Sequence, residues 1–116
     1  MKTVLLIDDD FAMIRILVEM VNKLGFNGIC VERIDEIKTV LENQKVDGII
    51  SDLNLEGYKG LDITEVLKPL GIPFGVLSGW VEGNIGEKLE TLGIPFMQKP
   101  VMMKDLKILC EVVVNG

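Results

Sequence analysis

Five short apolar runs, at residues 4–7, 28–31, 48–50, 74–77 and 95–97, alternate along the whole chain with stretches whose apolar residues recur at helical spacing. The runs lack the polar and apolar alternation of a half-exposed strand, which suits strands covered on both faces, as in parallel sheets. Between them, Ile14, Leu17, Val18, Val21 and Leu24, then Ile37, Val40 and Leu41, then Ile63, Val66, Leu67 and Leu70 follow i, i+3, i+4, i+7 spacing. A fourth helix rests on Ile85, Leu89 and Leu92, with glycines at 83 and 86, and a fifth on Leu106, Leu109, Cys110 and Val113. Gly25, Gly71 and Gly93 each stand just past a helical stretch, as C-terminal caps do, and Pro69 ends or kinks the third helix early. The alternation predicts an α/β fold, (βα)5, with a doubly wound parallel sheet, right-handed crossovers and helices on both faces. With 116 residues the chain fits one domain, residues 1–116, built on one core.

In such open sheets, ligands bind at the carboxyl ends of the strands. The first strand delivers Asp8 and Asp9 there, with Asp10 directly after, the third Asp52, the fourth Ser78 and the fifth Lys99 followed by Pro100. The second ends in Glu32 and Arg33, which carry no pattern. Alone, the acid triplet has two accounts: it caps and charges the first turn of the following helix, or it gathers around a cation that takes oxygen ligands. Asp52 alone could begin an Asx turn, Ser78 could cap a helix and Lys99 could be a solvated charge. Together, acids, a hydroxyl and an ammonium at one sheet edge suit a divalent cation and a phosphoryl group, because the metal offsets carboxylate repulsion while Lys and Ser satisfy phosphate oxygens.

Composition narrows the chemistry. The formal charge is −6 with Lys and Arg scattered, which argues against a surface for nucleic-acid phosphates. No apolar run approaches the roughly 20 residues that span a bilayer, and Lys2 is followed by only five uncharged residues, too few for a signal peptide; the expectation is a cytoplasmic protein without membrane contact. The absence of His excludes catalytic triads, imidazole metal sites and a phosphohistidine carrier role. Cys30 and Cys110 have no CxxC spacing and are expected to be buried, reduced core residues. The lack of GxxxxGK[ST] excludes a P-loop.

Over its whole length the chain resembles the receiver domain of two-component response regulators. The matching stretches are LLIDDD for the acid pair, IISDLNLEGYKGLD around the phosphoacceptor, VLSG for the switch hydroxyl and FMQKP for the lysine. The resemblance implies a flavodoxin-like three-layer sandwich with strand order 2-1-3-4-5. It implies that Asp52 accepts a phosphoryl group from a phosphohistidine on a sensor histidine kinase or phosphotransfer protein. Asp9 would bind Mg²⁺ directly and Asp8 mostly through water, with Asp52 and the Asn54 backbone carbonyl completing the protein ligands. Lys99 would pair with the phosphoryl group and Ser78 would hydrogen-bond it. Phe96 occupies the switch-aromatic position, Pro100 follows a peptide bond usually cis in the family, and the face of helix four, strand five and helix five would dock a downstream protein. Activity would be limited to self-catalysed phosphorylation and slow autodephosphorylation.

The chain also departs from the family pattern. Glu56 stands where the family usually has Pro, which leaves the shape of the loop after strand three open, although Gly60 falls where the family's glycine belongs. Asp10 is an extra acid, expected to face solvent at the start of helix one. The chain ends at Gly116, so no output domain is expected. Trp80, the only tryptophan, either packs on the surface or overhangs the phosphoryl group and limits water entry. A rival from another class is a small haloacid-dehalogenase-like phosphohydrolase with Asp8 as nucleophile and Asp10 as acid/base. Against it, only Asp105 and Glu111 remain as acids after Lys99, and the chain is short for that fold. A docking module independent of phosphorylation is a third reading, opposed by the complete set of phosphorylation residues.

Overall fold

The computed structural model describes residues 1–79, 81 and 83–116. Its elements are β1 (Thr3–Ile7), α1 (Phe11–Lys23), β2 (Asn27–Val31), α2 (Ile37–Asn43), β3 (Gly48–Ser51), α3 (Asp62–Leu67), β4 (Phe74–Ser78), α4 (Asn84–Thr91), β5 (Phe96–Gln98) and α5 (Met103–Asn115), with 3-10 turns at Ile34–Glu36 and Lys68–Leu70. The five strands form one parallel sheet in the order β2-β1-β3-β4-β5. Both the (βα)5 expectation and the implied strand order hold.

The continuous apolar runs have a simple origin. Successive strand residues point to opposite faces, and both faces are covered. Leu5, Ile7, Ile49 and Val76 enter one core with Ile37 of α2, Ile63 and Leu67 of α3 and Leu89 of α4. Val4, Leu6, Ile50 and Leu77 enter the other with Ile14, Leu17 and Val21 of α1 and Leu106, Leu109 and Val113 of α5. Each such Leu or Ile contributes about 1.5–3 kcal/mol by leaving water. Close approach of α5 to the sheet depends on Gly75, where an added Cβ would fall 2.9 Å from Val113 Cγ2 and 3.0 Å from the Pro95 carbonyl oxygen.

Helix ends follow the sequence signals. Pro69 lies inside the 3-10 turn that closes α3, and Gly71 takes the left-handed conformation at φ 70° after it. Two expectations fail locally. Cys30 is exposed rather than buried, because β2 is the edge strand and is covered only in part. Leu92 lies beyond the end of α4 and is 45% exposed, leaving Leu89 as that helix's buried anchor. Cys110 is buried as expected, and burial, followed by the Glu111 charge, pushes its thiol up to about 11.

Candidate functional site

The sheet order makes β1 and β3 neighbours even though β2 intervenes in sequence, and this reversal opens a crevice at their carboxyl ends. Register then aligns the chemistry. Ile7 pairs with Ser51, and the Asp52 N–H donates to the Ile7 carbonyl at 2.9 Å, so Asp8 and Asp52 leave the sheet side by side. On the far side Ser78 pairs with Gln98, and the Lys99 N–H donates to the Ser78 carbonyl at 2.9 Å. The Lys99–Pro100 bond is cis, as the resemblance implied.

Lys99 ties the centre together. Its Nζ donates to Asp8 Oδ2 at 2.5 Å and to Asp52 Oδ2 at 3.1 Å. Burial would push the ammonium down, but the Asp8 hydrogen bond and the charges of Asp52 and Asp8 outweigh it, and Lys99 is held above the ordinary lysine range. Asp52 Oδ1 accepts from the Ser78 hydroxyl at 2.7 Å and from the Asn54 N–H at 3.1 Å. Asp8, Asp52 and Ser78 are all buried, with Asp52 the most accessible at 8%.

The acid triplet divides. Asp8 Oδ1 accepts from the Asp10 N–H at 2.9 Å, which turns the chain out of the strand. Asp9 is exposed, and its Oδ2 accepts from the Glu56 N–H at 3.1 Å, across from the loop after β3. Asp10 is exposed and caps α1, accepting from the Met13 N–H at 3.1 Å, as its expected position at the start of the helix requires. Capping therefore accounts for Asp10 alone.

Do these residues fit Mg²⁺? Among the described residues no three acidic or thiol side chains are already gathered around one point. Asp8 and Asp52 are drawn together by Lys99 while Asp9 is turned to Glu56. The donor set is nonetheless all oxygen, and Asp8, Asp9 and Asp52 carry three negative charges against one ammonium. Mg²⁺ uses one or two carboxylates and keeps several waters, so it does not require a closed protein cage. The residues fit the ion by charge and donor type.

Phe96 is half-buried on β5, and its ring lies against α4, where a Cβ at Gly86 would meet Cζ at 3.5 Å. Trp80 lies outside the described residues. Sequence reasoning missed the Glu56 N–H on Asp9; its one trace was the departure from proline at position 56.

Residues 4–111 match the response regulator receiver domain family. The chain belongs to that family. Among curated relatives, this receiver domain is 36% identical over 103 residues to the regulatory protein VirG of Rhizobium rhizogenes, covering 86% of this chain and 43% of that protein. With VirG of Agrobacterium tumefaciens it shares 35% over 108 residues, 90% of this chain and 40% of that one. It thus spans about two-fifths of the length of these relatives. A receiver domain protein from Clostridium thermocellum has a similar structure, with a TM-score of 0.82 at 21% identity, covering 99% of this chain and 95% of that one. So does the receiver domain of a sensor histidine kinase from Pseudomonas aeruginosa, solved with a magnesium ion coordinated in its active site cleft, with a TM-score of 0.80 at 18% identity, covering 99% of this chain and 98% of that one. The phosphohydrolase rival finds no support: it needs Asp8 and Asp10 to face one substrate, whereas Asp10 is committed to the α1 cap. Among the described residues no helix is long and apolar enough to cross a membrane.

Proposed function

We propose that this receiver domain works in a phosphorelay, taking a phosphoryl group onto Asp52 from the phosphohistidine of a sensor histidine kinase or phosphotransfer protein. The observation that carries the reading is the two-sided hold on Asp52, with Lys99 on one carboxylate oxygen and Ser78 and the Asn54 N–H on the other. An Asp52 oxygen forms the bond to phosphorus as the phosphorus–nitrogen bond of the donor breaks, its electron pair leaving with the imidazole. Beyond that one bond to Asp52, the chemistry this domain supplies is positioning and charge stabilisation of a loose transition state. Self-catalysed phosphorylation and slow autodephosphorylation are its only reactions.

Asp8, Asp9, Asp52 and the Asn54 carbonyl would hold Mg²⁺, which when bound offsets the negative charge of the carboxylates and phosphoryl oxygens. Transfer moves charge from the Asp52 carboxylate to the phosphoryl oxygens. Lys99 and Ser78, which both bond Asp52 in the resting state, follow that charge outward. Ser78 ends β4 and leads toward α4, so its shift reaches the face formed by α4, β5 and α5, with Phe96 between them. That face docks a downstream protein in the cytoplasm, without direct nucleic-acid contact.

The test is acetyl phosphate with Mg²⁺, read by intact mass. Wild type gains one phosphoryl group and Asp52→Asn gains none. An adduct that persists in Asp52→Asn but disappears in Asp8→Asn overturns the assignment.

A further inference from the structure

We infer that the backbone N–H of Glu56 is a positioning group for the metal ligand Asp9, an inference that rests on the Mg²⁺ assignment above. Residues 55–58 form a β-turn closed by the Tyr58 N–H on the Leu55 carbonyl at 2.9 Å. Gly57, at its third position, has φ +86°, and among the described residues none other than glycine has positive φ, so the turn is of type II with Glu56 at its second position. The N–H at that position has no acceptor within such a turn. Here it reaches out of the loop after β3 to Asp9 Oδ2, 47 residues earlier, at 3.1 Å.

A carboxylate has two oxygens, and a metal-bound carboxylate is ordinarily held by a hydrogen bond on the other one. Asp9 already has that arrangement. The Glu56 N–H holds Oδ2 and fixes the plane of the carboxylate, which leaves Oδ1 for the cation. Without this bond Asp9 is an exposed side chain on a short connection between β1 and α1, free to rotate away. The bond also joins the loop that carries Asp8, Asp9 and Asp10 to the loop that follows Asp52, so cation binding at Asp9 is felt at residues 55–58.

The turn type supplies a clean perturbation. Proline is favoured at the second position of a type II turn, and Leu55 before it sits in an extended bridge with Tyr58, the backbone that precedes proline readily. Glu56→Pro therefore removes the N–H while keeping the turn. Glu56→Ala keeps the N–H and removes only the exposed carboxylate.

Mg²⁺ affinity is measured by isothermal titration on the full chain, with the Asp9 and Glu56 amide resonances followed by NMR, and metal-free melting confirms that each variant is folded. The expected result is about tenfold weaker Mg²⁺ binding in Glu56→Pro, about twofold in Glu56→Ala, and a Glu56 amide resonance that shifts with Mg²⁺ in wild type. If folded Glu56→Pro binds Mg²⁺ as tightly as wild type or more tightly, the positioning role is wrong while the metal assignment stands. If wild type itself binds no Mg²⁺, both are wrong.

Discussion

Lys99→Met tests the electrostatic centre most directly. The substitution keeps a long unbranched side chain and removes the ammonium that lies between two buried carboxylates, Asp8 at 2% exposure and Asp52 at 8%. At an effective dielectric of about 20, charges at these separations attract by about 5–7 kcal/mol each, most of which offsets the desolvation of the ammonium and acids. Removing one partner of a buried pair costs about 3–5 kcal/mol, because the remaining charges stay buried without compensation. Water reaches this edge of the sheet, so the lower end applies. With an unfolding entropy of about 2.1 cal/mol/K per residue, a loss of about 3 kcal/mol lowers Tm by about 12 °C. The assay is a circular-dichroism melt in EDTA at pH 7, repeated with Asp52→Asn added to Lys99→Met. Removing the Asp52 charge should recover about half the loss. The sign with pH follows from the raised Lys99 value. Its stabilisation is full below the unfolded lysine value of about 10.4 and is lost as pH rises through the folded value, so wild type and variant converge only in strong alkali. A Lys99→Met melt within about 2 °C of wild type in EDTA would refute the reasoning.

Mg²⁺ at about one hundred times its Kd should stabilise wild type by about 2.7 kcal/mol, and the increment should shrink in Asp9→Ala; equal increments remove Asp9 from the ligands. Beryllofluoride with Mg²⁺ should alter hydrogen-exchange protection across residues 76–101, and unchanged protection there sinks the coupling from Ser78 to α4. Gly86→Ala should raise stability by about 0.5–1 kcal/mol, since Gly is costly inside a helix and the new Cβ meets the Phe96 ring at an ordinary 3.5 Å; a lower Tm would mean that the ring cannot accommodate it. Asp10→Ala should cost about 1 kcal/mol as a lost helix cap while Mg²⁺ affinity in titration changes less than twofold, and a larger change would place Asp10 in the metal site.

The fold was legible because a doubly covered parallel sheet writes itself as apolar runs between helical periods. Leu5 and Leu6 enter different cores yet are both apolar, and only burial on two faces asks for that. The convergence of the candidate site residues was legible because Asp8, Asp52, Ser78 and Lys99 each end a strand or follow one directly. Position in the sheet was not legible from any single run. The stretch around Cys30 is as apolar as a central strand, but strand order puts it at the edge, where its thiol is exposed. The Glu56 N–H was hidden for a different reason. Every residue except proline has one, so its use depends on the turn that aims it.

The run Asp8-Asp9-Asp10 posed a choice between capping and cation binding, and the geometry gives the α1 cap to Asp10 and leaves Asp8 and Asp9 to the proposed cation site. Side chains alternate at the end of a strand, and the chain then turns into a helix, so three consecutive carboxylates are sent in three directions. Asp8 points inward to Lys99, Asp9 reaches the neighbouring loop, and Asp10 caps α1. This separation is what lets acids adjacent in sequence coexist at low cost. Each has its own donor: an ammonium for Asp8, the Glu56 N–H for Asp9 and the Met13 N–H for Asp10. Asp8 and Asp52, which are brought close, follow different strands and have Lys99 between them. The resting centre is therefore neutralised in part, and it keeps enough negative charge to attract a divalent cation. The groups that steady Asp52 are also those that would follow its charge onto a phosphoryl group, so resting stability and phosphoryl stabilisation draw on the same Lys99 and Ser78.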